Sequence, residues 1–192
     1  MIILRQFLAG LRLLLLLTVV LGLAYPLIMT GIGQVALPSR ANGSLVRVDG
    51  QPVGSALLGQ RFAGPQWFTP RPSASGYDGL ASGGTNLGPG SPALQAAVAH
   101  ARAAAASADG VLPGSVPPDA VTASGSGLDP DISPAYAYQQ VDRVAAARGL
   151  PAASVRRLVA AHVTGRALGF LGEPHVNVLE LDVALAALPG RR

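Results

Sequence analysis

Residues 7–37 read FLAGLRLLLLLTVVLGLAYPLIMTGIGQVAL, and this apolar stretch decides on which side of a membrane the rest of the chain folds. It carries no charged residue between Leu13 and Ile32. A helix of about 20 mostly apolar residues is long enough to cross the hydrocarbon core of a bilayer. Arg5 and Arg12 precede the apolar run, and short arginine-rich flanks of a membrane span stay in the cytoplasm. The pattern therefore predicts one membrane-spanning helix with a cytoplasmic N-terminus.

The predicted division of the chain follows from that helix. An N-terminal segment, residues 1–37, holds the transmembrane helix at about residues 11–33, and residues 38–192 form an extracytoplasmic domain. Arg40 and Arg47 lie beyond the far end of the span, so the charge bias is modest. The remaining chain, about 150 residues, is long enough for one domain with its own core. We expect that domain to have an α+β fold.

A cleaved signal peptide is the alternative interpretation of the same stretch. Arg5 and Arg12 would be its basic region, Leu13–Leu21 its apolar region, and residues 22–24, Gly-Leu-Ala, its small-residue cleavage site. The apolar character continues to Ile32, well beyond the usual length of a signal core. The length of the apolar run therefore favours a retained anchor.

Four residues of the span bear on how the helix packs. Pro26 lacks a backbone N–H, but partner helices, water or a local backbone adjustment can satisfy the carbonyl that it frees. Gly22, Gly31 and Gly33 keep the helix narrow enough for another helix to approach closely. Membrane helices are also generally rich in glycine, so these positions are compatible with an ordinary span as well as with a packing face.

Composition excludes several classes of protein. The net charge is +4 but only 12% of the 192 residues are charged, without the dense basic face and interleaved aromatics of nucleic-acid binding. The chain has no cysteine, so disulfides and thiolate metal sites are excluded. Its three histidines, His100, His162 and His175, lack the close spacing of zinc ligands, and we predict no metal site.

Turn and capping signals divide the domain into a hairpin and three helices. Apolar residues flank the turn dipeptide Asp49-Gly50, which predicts a β-hairpin over residues 43–53. Helices are predicted from Ser91-Pro92 to Gly110, from Ser133-Pro134 to Gly149, and from Pro151 to Gly165. Between them, Phe62, Trp67 and Phe68 stand among prolines, and we expect these aromatics to fill a small core beneath a long loop.

The tail of the chain has two interpretations. Residues 179–185 alternate apolar and polar side chains, which favours a half-buried strand. Leu181, Ala184, Leu185 and Leu188 also fit one face of a helix that begins after Asn177 as its N-cap. Because of this alternation, we predict a strand for residues 179–185.

Two stretches rich in serine and glycine, residues 73–92 and 121–134, are the longest candidate loops. A loop of this length inside a compact domain is usually functional or disordered. Neither is a phosphate-binding P-loop, because that motif needs a lysine and the chain has none. The serines also lack the spacing of a hydrolase nucleophile elbow.

These loops and three further motifs resemble the C subunit of the Kdp-type potassium-transporting ATPase. The resemblance covers nearly the whole chain in the same order and spacing, with departures in the shortened segment at residues 76–78 and in the alanine-rich residues 99–116. It rests on the motifs at residues 22–27, 41–44, 71–75, 80–89, 121–134 and 168–181.

The resemblance implies an accessory subunit of a bacterial high-affinity potassium pump in the plasma (inner) membrane. Its partners would be a channel-like potassium-binding subunit, a catalytic P-type ATPase subunit and a small single-helix subunit. The family is described as a catalytic chaperone that raises the ATP affinity of the catalytic subunit through a transient ternary complex. The chain itself has no lysine and so no Asp-Lys-Thr-Gly phosphorylation motif, which means that it is not the catalytic subunit.

The resemblance also suggests nucleotide-binding residues. Ser82, Gly83 and Gly84 are similar to the serine-glycine-glycine of the ABC-transporter signature, and Gln140 matches a family glutamine associated with nucleotide binding. The alternative is structural, with the glycines forming turns and Gln140 on an exposed helix face. We expect no tightly bound cofactor, and ATP only through the complex, because the predicted topology places the domain outside whereas ATP is bound in the cytoplasm.

Two classes of function therefore stand at this point. In the first, the chain is a non-catalytic pump subunit that supports assembly and raises the ATP affinity of the catalytic subunit. In the second, it is a membrane-anchored or secreted small-ligand binding protein unrelated to a pump, with its site in the loop at residues 73–92.

Overall fold

The computed structural model describes residues 2–189, which form two compact units. The first unit ends at Leu45 and the second begins at Val46. The predicted domain at residues 38–192 therefore includes three terminal residues, 190–192, that lie outside the described residues.

The first unit is dominated by one long apolar helix. It runs from Ile2 to Ala36 and is long and apolar enough to cross a membrane, with none of its residues buried. It consists of α1 (Ile2–Val19), a π-helical turn (Val20–Ala24) and α2 (Tyr25–Ala36), followed by the short α3 (Pro38–Ala41). The helix is longer at both ends than the predicted span at about residues 11–33.

The π-helical turn accommodates the proline that follows it. Pro26 has no N–H to donate back along the helix. The N–H of Tyr25 instead donates to the carbonyl of Val20, five residues back, and so widens the turn before the proline. The helix continues through Pro26 by the local backbone adjustment that was expected there.

The predicted hairpin forms where the second unit begins. Strand β1 (Leu45–Val48) and strand β2 (Gln51–Ser55) pair across a two-residue turn. Asp49 and Gly50 have φ angles of 50° and 78°. Positive φ at both turn residues is the geometry of a type I′ turn, whose twist matches that of paired strands. The hairpin prediction is confirmed.

Four helices of the second unit follow the cap signals with two exceptions. They are α4 (Pro92–Asp109), α5 (Pro134–Gln139), α6 (Val141–Arg148) and α7 (Ala152–His162). The helix predicted from Pro151 to Gly165 ends earlier, at His162, because Val163–Thr164 form a strand. Gly110 and Gly149 end α4 and α6 in the left-handed conformation, as predicted. The single helix predicted from Pro134 to Gly149 is wrong, because the chain bends at Gln140 and forms two helices there.

A small antiparallel sheet joins distant parts of this unit. Its strands are β3 (Asp131–Ile132), β4 (Val163–Thr164) and β5 (His175–Asn177), in the order β3-β5-β4. The central residue Val176 is opposite Ile132 on one side and Val163 on the other. Val176 is fully buried, so the sheet brings the end of the chain into the core.

The tail is a helix, and the strand prediction for residues 179–185 is wrong. Helix α8 (Val178–Ala186) begins after Asn177, whose side-chain oxygen accepts the N–H of Glu180 at 3.1 Å. Leu181 and Leu185, four residues apart, are both completely buried. The adjacent Asp182 is also buried, at 1% exposed. A half-buried strand would place Leu181 and Asp182 on opposite faces, whereas helical spacing puts Leu181, Asp182 and Leu185 on one buried side.

The core of the second unit includes the three aromatic residues that were predicted to fill it. Phe68 is completely buried, and Phe62 and Trp67 pack against the same cluster with ring centroids 6.1 Å apart. Valines of α6, α7 and β5 and leucines of α8 supply most of the remaining core. The expectation that these aromatics fill a small core is confirmed.

Candidate functional site

The two loops rich in serine and glycine lie against each other. The N–H of Gly83 donates to the carbonyl of Ser126 at 2.8 Å, and the hydroxyl of Ser82 donates to the same carbonyl at 3.2 Å. At the base of the pair, the N–H of Ser124 donates to the carbonyl of Pro72 at 3.2 Å. The hydroxyl of Ser82 and the N–H of Gly83 are thus engaged with the second loop.

Glycine at two positions in these loops serves close backbone packing. Gly127 has a φ of 70°, and a Cβ placed there would lie 2.9 Å from the carbonyl oxygen of Gly83. A Cβ on Gly84 would lie 3.1 Å from the carbonyl oxygen of Gly125. A Cβ on Gly127 would force backbone to move, and one on Gly84 would press on its neighbour, so both glycines have a structural reason to be there.

Gln140 lies in the interior, so the expectation of an exposed helix face is wrong. Its side chain is completely buried at the junction of α5 and α6. Its Oε1 accepts from the N–H of Thr69 at 2.6 Å and from the Nη2 of Arg143 at 2.6 Å. Its Nε2 donates to the carbonyl of Thr69 at 3.1 Å. Gln140 thus pairs with the backbone of residues 62–69, which hold Phe62, Trp67 and Phe68 and are called the aromatic segment below. Among the described residues it shares no hydrogen-bond partner with Ser82 or Gly83.

Arg143 organises the surroundings of Gln140, and sequence reasoning missed it. Its Nε lies 2.7 Å from Oδ1 of Asp109, and the two side chains are only 10% and 2% exposed. Its Nη1 donates to the carbonyls of Pro65 and Trp67 at 2.7 and 2.8 Å. Arg143 therefore connects α4, α6 and the aromatic segment through one guanidinium group.

A mostly apolar groove of about 620 Å³ lies between the hairpin and α8. Val48 and Val53 come from the hairpin, Phe62 and Trp67 from the aromatic segment, and the remaining lining chiefly from α8. A concave apolar site with few polar groups is typical of ligand and partner recognition. Its polar members are Arg47, Asp49 and Asp182.

Asp182 is the unusual residue of this groove. Its side chain is 1% exposed, and its Oδ1 accepts the N–H of Phe68 at 3.1 Å. Its Oδ2 is buried without a hydrogen-bond partner among residues 2–189. Burial raises the pKa of Asp182 to about 7, although the N–H of Phe68 and the charges of Arg148 and Arg143 act in the opposite direction.

The helical interpretation of the tail would have predicted that Asp182 is buried. On a helix, Asp182 follows Val178 by four residues and precedes Leu185 by three, so it shares their buried face. Both neighbours are at most 2% exposed. The preference for a strand concealed this, and Asp182 was not among the candidate site residues.

The glycines of the anchor differ in their surroundings. A Cβ on Gly31 would meet nothing within 4 Å, and one on Gly22 would touch only Thr18 of its own helix at 3.9 Å. A Cβ on Gly33 would lie 3.7 Å from the Cβ of Ala41 in α3. Gly22 and Gly31 therefore present open helix surface, whereas Gly33 also faces a residue of its own unit.

Comparison with known proteins shows which family this sequence resembles. Residues 7–187 match the family model KdpC, described as K+-transporting ATPase, c chain. The chain belongs to the KdpC family. The match includes most of the anchor helix and reaches the end of α8, so both units are part of what the KdpC family shares.

Curated relatives of this KdpC chain agree over almost its whole length. Three of them bear the name potassium-transporting ATPase KdpC subunit. The relative from Kineococcus radiotolerans is 61% identical over 184 residues, 95% of this chain and 93% of the relative. Those from Sorangium cellulosum and Gemmatimonas aurantiaca are 59% and 55% identical, over 92% and 90% of this chain and 94% and 87% of theirs. The alternative of a binding protein unrelated to a pump loses its support.

Proposed function

We propose that this KdpC chain is an accessory, non-catalytic subunit of an ATP-driven potassium uptake complex. In that role it supports assembly and raises the ATP affinity of the catalytic P-type ATPase subunit. The observation that carries the proposal is the family match over residues 7–187, together with relatives named as subunits of a potassium-transporting ATPase. The chain has no lysine and hence no Asp-Lys-Thr-Gly phosphorylation motif, which supports a non-catalytic role.

The proposed setting is a bacterial plasma membrane, crossed once. The partners are the channel-like potassium-binding subunit, the catalytic subunit and the small single-helix subunit of the same complex. The helix Ile2–Ala36 supports the anchor by its length and composition. Arg5 and Arg12 near its start support a cytoplasmic N-terminus, with the second unit outside.

The proposed effect on ATP is indirect. A partner that binds one conformation of a pump more tightly shifts the pump toward that state, and linkage then changes the affinity at a distant ATP site. Two observations support this mechanism over direct contact. The Gln140 amide is buried and paired with Thr69 and Arg143, and the Ser82–Gly84 backbone packs on the second loop.

Calorimetry with the full-length chain in detergent tests direct binding. We expect no tight ATP binding, whereas omission of this chain from the assembled pump should raise the ATP concentration needed for half-maximal potassium-stimulated hydrolysis. The variant Gly83→Ala is a suitable probe, because a Cβ there meets nothing within 4 Å. Tight, saturable ATP binding that Gly83→Ala abolishes would establish a direct nucleotide site and overturn the indirect mechanism.

A further inference from the structure

The connection between β4 and β5 carries apolar side chains that take no part in the core. Every residue of 164–174 is exposed. Leu168, Phe170 and Leu171 are 83%, 70% and 51% exposed, and none of them packs in the core cluster of the described residues. Isolated exposed apolar residues are ordinary, but three within four positions form a patch of the kind that marks an interaction site. We call residues 167–171 the apolar tip.

Leu168 is held in a backbone conformation that leucine disfavours. Its φ is 54° and that of Gly169 is 81°, the pair of positive angles found in a type I′ turn. The Asp49-Gly50 turn of the same chain has aspartate in the first of these positions, and aspartate adopts positive φ more readily than a bulky side chain. Because the side chain of Leu168 is exposed, folding gains no burial in return. A contact outside the chain would account for leucine at this position.

The backbone of the apolar tip is already hydrogen-bonded within the turn. The N–H of Ala167 donates to the carbonyl of Leu171 at 2.9 Å, and the N–H of Leu171 donates to the carbonyl of Ala167 at 2.9 Å. The N–H of Gly169 donates to the carbonyl of Arg166 at 3.1 Å. The N–H of Phe170 donates to the carbonyl of Ala167 at 3.3 Å. Hydrocarbon offers backbone groups no partner, so this internal pairing lowers the free-energy cost of inserting the turn into lipid.

The chemistry of the apolar tip favours lipid over a protein pocket. Tryptophan, tyrosine and arginine dominate the binding energy of protein interfaces, whereas leucine is under-represented there. Leu168, Phe170 and Leu171 have no hydrogen-bonding group in their side chains to direct a protein partner. The nearby charges of Arg166 and Glu173 are paired at 2.7 Å. The tip therefore presents hydrocarbon side chains next to a neutral ion pair.

We propose that the apolar tip inserts its leucine and phenylalanine side chains into the surface of the lipid bilayer that holds the anchor helix of the same chain. The inference rests on the proposed membrane setting. Anchoring makes the second contact intramolecular, so a few apolar side chains are enough where a free domain would need more. Because the ion pair carries no net charge, insertion requires no anionic lipid.

Spin labelling of the full-length chain in phosphatidylcholine vesicles locates the apolar tip directly. The chain has no cysteine, so one introduced cysteine carries the only nitroxide label. Leu171→Cys places the label on the tip and keeps Leu168 and Phe170. Leu112→Cys is the matched control, because Leu112 is a 78% exposed leucine in a different connection. Leu16→Cys marks the anchor helix.

Two relaxation agents distinguish lipid, water and protein around each label. Oxygen is enriched in hydrocarbon, a water-soluble nickel complex is excluded from it, and protein contact shields a label from both. We expect the labels at 171 and 16 to respond more to oxygen, and the label at 112 to respond more to nickel, with or without anionic lipid. A nickel response at 171 together with an oxygen response at 16 would overturn the insertion of the tip.

Leu168→Asn separates the lipid contact from the fold. Asparagine accommodates positive φ, so the midpoint of thermal unfolding should stay the same or rise. The loss of the apolar side chain should nevertheless shift the label at 171 toward water and increase its nickel response. Leu112→Asn with the same label should leave that response unchanged. An unchanged nickel response in folded Leu168→Asn would contradict insertion.

The assembled pump distinguishes this inference from the proposed function. In the pump the label at 171 should keep its oxygen response. Shielding from both agents would assign the tip to a partner subunit and overturn the lipid contact, while the proposed function stands. If the chain does not co-purify with the other subunits, the proposed function fails, and the vesicle measurements still decide the tip. A label at 16 without an oxygen response would overturn the membrane setting and the tip with it.

Discussion

At the scale of single residues, the second unit depends on polar side chains that are buried among apolar ones. Arg143 and Gln140 satisfy backbone groups of the aromatic segment and each other. Asp182 satisfies one N–H and keeps one oxygen unpaired. Removing one partner from such a set leaves a buried group without compensation, which is why these positions should be sensitive.

The ion pair of Arg143 with Asp109 offers the clearest prediction for stability. Arg143→Met leaves the almost completely buried carboxylate of Asp109 without its cation, and breaking a buried pair in this way typically costs about 3–5 kcal/mol. We expect a loss of that size in the free energy of unfolding, measured by denaturant titration. Arg157→Met is the control, because Arg157 is exposed and its guanidinium bonds Ser154 of its own helix. A comparable loss in the control would contradict the explanation.

Asp182 should make the stability depend on pH. Its pKa is about 7 in the folded chain against an ordinary 3.8. The folded state therefore holds the proton more tightly, and stability falls as the pH rises from about 4 through 7. Asp182→Asn should remove this slope and be the more stable form at pH 8, by at most roughly 4 kcal/mol at about 1.4 kcal/mol per pKa unit.

Thermal unfolding of both chains between pH 5 and pH 8 measures the difference. Arg148, Arg143 and the N–H of Phe68 also act on this carboxyl and are unchanged in the variant. Parallel pH profiles for the two chains would show that Asp182 does not titrate in this range.

At the scale of elements, the ends of the helices carry much of the local information. Asn177 and Ser133 each accept an N–H three residues on, and so cap α8 and α5. Ser91 occupies the same position before α4 but makes no side-chain cap bond. A cap signal in the sequence therefore marks where a helix begins without ensuring that the side chain bonds there.

This difference between caps is testable. Asn177→Ala should cost about 1 kcal/mol of unfolding free energy, in the range typical of lost N-caps. Its Nδ2 also donates to the carbonyl of Ala56 at 2.8 Å, so the loss should not be smaller than for a cap alone. Ser91→Ala is the matched control, with an expected change below about 0.5 kcal/mol. Equal losses for both, by denaturant titration, would refute the assignment.

The anchor helix can be tested for a packing face. Gly31 presents open surface, so Gly31→Leu adds bulk only against a neighbour from another chain. We expect it, and Gly22→Leu, to reduce co-purification with the pump subunits while the chain still inserts. Gly10→Leu is the control, since Gly10 is equally open and lies in another part of the helix. Undiminished recovery with both substitutions would identify Gly22 and Gly31 as ordinary membrane-helix residues.

At the scale of the whole molecule, the proposed topology limits how the chain can change the pump's ATP affinity. With the second unit outside the membrane, as proposed, that unit would influence a cytoplasmic ATP site only through the conformation of its partners. An enzyme reporter that is active only outside the cytoplasm should therefore work when fused to the C-terminus. The intact N-terminus should persist in the mature chain. Activity of a cytoplasmic reporter alone would reverse the orientation, and a mature chain starting at Tyr25 would establish a cleaved signal peptide.

Local sequence signals were sufficient for much of this molecule. The apolar run, the Asp49-Gly50 turn and the glycines that end α4 and α6 act through chain length or backbone preference, so their effects are readable without the rest of the fold. The family resemblance was readable for the same reason, because its motifs are contiguous. The functional roles of Ser82, Gly83 and Gly84 remain predictions.

Only the tertiary structure decided the positions of Gln140 and Asp182 and the form of the tail. Residues 179–185 fit both a two-residue and a helical period, and the burial of the adjacent residues Leu181 and Asp182 together is what fits only the helix. Gln140 is buried because its amide pairs with Thr69, a residue 71 positions earlier. Such long-range partners are invisible to local patterns, since the free energy of burying a polar group depends on which distant group completes its hydrogen bonds.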